Sequence, residues 1–191
     1  MNSHLPLLNV VCSVLAFPHL RVPVTFEFGC GEYSTALFAD RADKHYAVEM
    51  LGCEHDERSR EWYESMCSLY LDEVSLAILP WQRAIAKMVD VKPDIVFVDG
   101  PCARVECVNA AFRCCNTVIA HDTEASCYGW EKIVDPGKGW SRHTRGSEEI
   151  PDPLGAWTTV WTRKISLSYV LSDVLYDLGL DEKKIPRDRV C

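Results

Sequence analysis

Apolar residues along this chain follow two rhythms. Short, nearly continuous runs appear at VTFEFG (24–29), KHYAVEM (44–50), SLAILP (75–80), PDIVFVDG (93–100) and NTVIAHD (116–122). Gly, Pro or acidic residues bound them, the pattern of strands buried on both faces of a parallel sheet. Between them lie longer segments with helical spacing of apolar positions, at 34–42, 56–71, 82–89 and 104–115. Ser34 stands where it would cap the first of these helices, and Asp56 or Ser59 the second. A further helix is expected over 4–17, ended by Pro18. Residues 127–134 have weaker helical character, 140–146 and 156–164 read as a closing pair of strands, and 168–180 as a last helix.

This β–α alternation with short connections predicts an α/β fold with a doubly wound, mostly parallel sheet. Such sheets bind ligands beyond the carboxyl ends of their strands, where strand order reverses. Chemistry is therefore expected in the turns after strands one, two, four and five. The whole chain, 1–191, reads as one domain: an N-terminal helical segment (1–22), a substrate-loop region (123–157) and a charged tail (181–191).

Charge and cysteine content narrow the classes. The formal net charge is −8 and the pI about 5.2, a surface that repels phosphate backbones and argues against a nucleic-acid partner. No run is long enough to span a membrane. The start of the chain lacks the basic residues of a signal peptide, and Asn9 interrupts its apolar run, so it reads as a short buried helix. The ten cysteines include no C-x-x-C pair, which leaves a structural zinc site without its usual spacing. Most lie in apolar stretches, where a free thiol behaves as a small hydrophobe. A chain of this length does not need a disulfide framework, so a reducing, cytoplasmic setting is expected.

The most informative stretch is VTFEFGCGEYS, in which Glu27, Gly29 and Gly31 form E-x-G-x-G at the end of the first strand. Two residues without Cβ atoms allow a sharp turn and the close approach of a nucleotide-like ligand. A dinucleotide fingerprint would need a third glycine where Ser34 stands, and the Lys-Ser/Thr ending of a phosphate-cradling loop is absent. On these residues the chain resembles the class I S-adenosylmethionine (SAM) methyltransferases, over roughly residues 22–164. That resemblance implies a Rossmann-like seven-stranded sheet whose last strand is antiparallel, with SAM over the first turn. It also implies a second acid at the end of strand two for the ribose hydroxyls. Glu49 holds that place, with Glu54 as a rival, and a carboxylate can accept both protons of a vicinal diol. Trp81, after strand three, would flank the adenine.

The remaining strand ends bear on the reaction. Asp99 closes strand four, Arg104 opens the next helix and could meet an anionic substrate group, and His121 and Asp122 close strand five. Some O-methyltransferases hold a divalent metal between these two strand ends. Asp99 and Asp122 are hard oxygen ligands suited to Mg2+, although His121 replaces part of the expected ligand pair. Without a metal, His121 is the candidate general base. Both readings stay open on the sequence, beside a third in which Asp122 caps the next loop and His121 is half-buried and satisfied. Pro101-Cys102 is similar to the Pro-Cys of cytosine-C5 methyltransferases, but the rest of that pattern is missing. Tyr128 and Trp130 lie in the substrate-loop region and suit an organic acceptor. The expected function is methyl transfer to a small molecule, most naturally at oxygen, with a second copy of the chain available to complete the site. The alternatives are another reaction of SAM, or a non-catalytic module that keeps the fold.

Overall fold

The computed structural model describes residues 5–16, 23–52, 56–70, 74–123, 126–145 and 157–177. In chain order the elements are α1 (Leu5–Ala16), β1 (Val24–Phe28), α2 (Ser34–Arg41), β2 (Lys44–Leu51), α3 (Asp56–Tyr70), β3 (Ser75–Pro80), α4 (Trp81–Val91), β4 (Ile95–Val98), α5 (Arg104–Ala111), β5 (Thr117–His121), β6 (Ser141–Arg145), β7 (Thr158–Thr162) and α6 (Ile165–Asp177). Two single 3-10 turns, Ser126–Tyr128 and Trp130–Lys132, stand where weak helical character was expected. The charged tail at 181–191, and Glu54, lie outside the described residues. None of the described helices is long and apolar enough to cross a membrane.

The seven strands form one sheet in the order β3-β2-β1-β4-β5-β7-β6. The first five are parallel, and β7 runs antiparallel to both β5 and β6. This is the doubly wound, Rossmann-like sheet with an antiparallel last strand that the sequence predicts. Strand order reverses between β1 and β4, so their carboxyl ends open a crevice at the centre of the sheet. Side-chain alternation divides the core into two layers. Phe26, Phe28, Val96 and Val98 meet α4 and α5 on one face, while Ile95, Phe97, Ile119 and Val160 meet α1, α2 and α6 on the other. Each such fully buried large apolar side chain contributes about 1.5–3 kcal/mol.

One position breaks the apolar pattern. Glu27 lies in the middle of β1 and is 0% exposed. An ionised carboxylate there is costly unless fully hydrogen-bonded. Its Oε1 accepts the Ser34 hydroxyl at 2.5 Å, and its Oε2 accepts the Thr35 hydroxyl at 2.6 Å. His45 Nε2 lies 3.2 Å from Oε2, and the other ring nitrogen is 2.8 Å from the Thr25 hydroxyl. Ser34 is therefore not the N-cap expected from sequence. Tyr33 holds that position without a side-chain capping bond, because the buried acid has claimed the serine. Glu27 thus joins the start of α2 and the neighbouring strand β2 to β1, and fixes the turn between them.

The turn itself begins at Gly29, whose φ is +83°. Its N–H donates to Val48 O at 2.8 Å, while Asp99 N–H donates to Phe28 O at 2.9 Å. The ends of β1, β2 and β4 are drawn together, and a Cβ on Gly29 would lie 2.5 Å from Gly100 Cα. Gly29→Ala is expected to lower unfolding stability by about 2 kcal/mol or more, from positive-φ strain plus backbone overlap. Urea denaturation measures this, and an unchanged midpoint would mean that the turn relaxes freely. Glu27→Gln should cost about 1–3 kcal/mol by the same measurement, since it leaves a donor facing donors in a dry site.

Candidate active site

The outer side of the first turn is built by β2 and α3. Glu49, near the end of β2, is 4% exposed. Its Oε2 accepts Cys30 N–H at 3.2 Å and the Cys30 thiol at 3.5 Å, and Ser59 from α3 adds a third donor. Burial pushes the Glu49 pKa up, and these hydrogen bonds pull it part of the way back. Burial, together with the charges of Glu49 and Glu27, pushes the Cys30 thiol far up, so this cysteine is a neutral spacer. From the same helix, the Trp62 indole donates to Cys30 O at 2.5 Å and remains 41% exposed beside the turn. Ser59 and Trp62 are one helical turn apart, so α3 clamps both Glu49 and Cys30. Sequence reading gave Ser59 only a capping role and missed Trp62, because a mid-helix Trp carries no local signal of a loop partner. Trp81 begins α4, and its ring would lie 3.2 Å from a Cβ on Gly52, just past the end of β2. It therefore flanks the same crevice from the β3 side.

A second cluster fills the ends of β4 and β5. Asp99, His121 and Asp122 each offer one ligand-type atom, all within 4.8 Å of one another. His121 Nδ1 lies 3.3 Å from an oxygen of each aspartate. Two acids at Nδ1 favour the proton there, which places the lone pair of the neutral ring on Nε2. Burial works against a charge on His121, but the hydrogen bond and charge of Asp99, and the charge of Asp122, outweigh it. Arg104 opposes them, and the net pKa is raised. Asp122 adopts φ +55°, a left-handed conformation that Asp tolerates better than most residues and that is common at functional turns.

Arg104 changes the reading of this cluster. It is 5% exposed, with its guanidinium 3.2 Å from Asp99 and 3.3 Å from Asp122. Its Nε donates to Gly100 O at 2.7 Å and one terminal nitrogen to His121 O at 2.8 Å, while the Tyr128 ring covers it at 3.9 Å. Expected to meet an anionic substrate group, Arg104 instead has its guanidinium against Asp99, Asp122 and two backbone carbonyls. Nor does the donor set fit Mg2+. The two carboxylates already share a permanent cation, and a divalent ion on the same oxygens would face like charge at close range. Glu27, which the resemblance implies as a cofactor contact, braces the turn from beneath, with its oxygens engaged by Ser34, Thr35 and His45.

Beyond Asp122 a cleft of about 340 Å3 opens between Trp130, Trp140 and Trp161, with Pro136, Thr123 and Arg142 on its walls. The Trp130 indole donates to Asp122 O at 2.9 Å, and its ring meets Tyr128 edge-on at 6.0 Å. One aromatic wall is thereby attached directly to the acidic cluster. The indole N–H of Trp140 is buried without a hydrogen-bond partner.

Cys102, in the loop after β4, is disulfide-bonded, whereas the other seven described cysteines are free. Cys102 is thus an exception to the free thiols that a reducing setting leads one to expect. A single cysteine in a Pro-Cys loop carries no sequence signal of pairing.

No family model matches this chain, and no curated protein matches it. Solved structures do. A precorrin-6y C5,15-methyltransferase from Geobacter metallireducens GS-15 superposes with a TM-score of 0.55 at 14% identity, covering 82% of this chain and 88% of that one. A putative O-methyltransferase from Klebsiella pneumoniae gives 0.54 at 13% identity, with 84% and 78% covered. Spermidine synthase from Thermotoga maritima gives 0.54 at 16% identity, with 93% and 66% covered. The strand order and the antiparallel last strand agree with these likenesses, and the chain has the Rossmann-like fold of the class I SAM-dependent methyltransferases.

Proposed function

We propose that this protein is a SAM-dependent methyltransferase acting on a small organic acceptor, at oxygen. One observation carries the reading. An acid suited to a ribose diol and an imidazole held by two carboxylates lie along the same carboxyl edge of the sheet, Glu49 on β2 and His121 on β5, with β1, its Gly29–Gly31 turn and β4 between them. Glu49 would take the ribose hydroxyls, displacing the thiol of Cys30, the weakest of its present donors. The Gly29–Gly31 turn would carry the nucleoside, with Trp81 beside the base and Asp99 at the edge of the crevice.

When bound, SAM supplies a methyl group already activated on a sulfonium. The chain's own residues then align the acceptor, exclude water and remove one proton. His121 receives the acceptor's hydroxyl proton at Nε2, while Asp99 and Asp122 hold the ring by Nδ1 and stabilise the imidazolium that forms. Tyr128 and Trp130, with the aromatic cleft behind them, would hold the acceptor. This assigns the loop region 123–157 to substrate binding within a single-domain protein of 1–191. The net charge of −8 favours a small acceptor over a polyanion, and a second copy of the chain would complete the cover of the cleft. The setting we propose is cytoplasmic, supported by the seven free cysteines among the described residues, with the Cys102 disulfide as the exception.

Calorimetry with SAM tests the first half of the reading. Glu49→Gln should weaken binding by roughly ten- to a hundredfold, the loss of hydrogen bonds to a charged acceptor. Unchanged affinity would remove Glu49 from the site. Because burial raises the Glu49 pKa and the ionised form accepts the diol, affinity should rise with pH through that raised pKa and level off above it. Formation of S-adenosylhomocysteine in the presence of an acceptor separates methyl transfer from other reactions of SAM. His121→Ala should then slow turnover about 10²–10⁴-fold. In the unaltered protein the rate should climb with pH through a His121 pKa above the ordinary histidine value, since only the neutral ring is a base. A flat pH profile would contradict the base role.

A further inference from the structure

We infer that Arg104 is the built-in cation of this site, and that Asp99, His121 and Asp122 form a latent divalent-metal site which Arg104 keeps closed. The three side chains present two carboxylate oxygens and a ring nitrogen within 4.8 Å of one another, a compact donor set that suits a divalent cation only once the guanidinium is removed. What prevents its use is the guanidinium, 3.2 Å from Asp99 and 3.3 Å from Asp122. Arginine does not lose its proton in a protein, so the charge cannot be discharged to admit a metal. Nor is the side chain poised to swing away. Gly100 O and His121 O accept from it at 2.7 and 2.8 Å, and the Tyr128 ring lies 3.9 Å over it. These three anchors are independent of the carboxylates. The backbone is shaped to deliver it, because Ala103 takes φ +51° immediately before α5 and the helix then opens on Arg104. One guanidinium offsets one of the two carboxylate charges without any ion, and protonation of His121 would offset the other.

This inference does not rest on methyl transfer, because cation binding is measured without SAM or acceptor. The probe is Mn2+ alone, titrated against the full chain and followed by electron paramagnetic resonance of the free ion. The unaltered protein should show no saturable site that Asp122→Asn abolishes. Arg104→Met and Arg104→Gln remove the charge. Each should gain one saturable Mn2+ site, at least about tenfold tighter than anything in the parent, as expected on removing a like charge. Adding Asp122→Asn to either variant should abolish it. Circular dichroism establishes that each variant is folded. A folded Arg104→Met or Arg104→Gln protein without a Mn2+ site would overturn the proposal. So would a saturable site in the unaltered protein that Asp122→Asn removes. That parent titration decides alone if neither Arg104 variant folds.

Discussion

A carboxylate buried in the middle of a strand is the constraint on which the rest of this structure depends. Glu27 has no access to water, so its oxygens must be satisfied from within. Two donors come from the first turn of α2 and one from β2, and all three must be in place at once. The requirement fixes where α2 begins and how β2 lies against β1. It also fixes the path of the Gly29–Gly31 turn, which joins the acid to the helix. The crevice at the carboxyl edge therefore has a floor set by hydrogen bonds within the chain.

The other acids at that edge are treated in two ways. Glu49 is desolvated and given neutral donors, which raises its pKa and leaves a carboxylate that gains from a further hydroxyl partner. Asp99 and Asp122 are given a full positive charge. Arg104 lies between them, held by carbonyl oxygens and an aromatic ring, and His121 sits against both aspartates. The first environment suits recognition of a neutral diol. The second suits a proton acceptor whose conjugate acid must be stabilised. On the proposed reading, binding falls on the β2 side and proton transfer on the β5 side, with the turn between them.

Much of this was legible in the sequence. The five parallel strands and the helices between them fall within a few residues of the expected positions, because strands buried on both faces leave continuous apolar runs. The E-x-G-x-G turn and the residues Glu49, Asp99, His121 and Asp122 also lie at or near the carboxyl ends of their strands, as the pattern of apolar runs predicts. What local pattern could not reveal was competition between partners. Ser34 could cap its own helix or serve Glu27, seven residues back, and only packing decides for the acid. Arg104 at a helix start looked like an anion contact, yet the fold brings two aspartates and two carbonyls around it. The contact of Trp62 with Cys30, like the oxidised state of Cys102, depends on the tertiary path and leaves no periodic trace.

The central claim is that the carboxyl edge between β2 and β5 holds SAM over the Gly29–Gly31 turn, with the transferable group facing His121. A crystal structure grown with S-adenosylhomocysteine tests this most directly. The account predicts the nucleoside against the turn, its ribose hydroxyls on Glu49 in place of the Cys30 thiol, and its sulfur directed towards Asp99 and His121. Density for the nucleoside elsewhere on the protein, or a ribose without contact to Glu49, would contradict it.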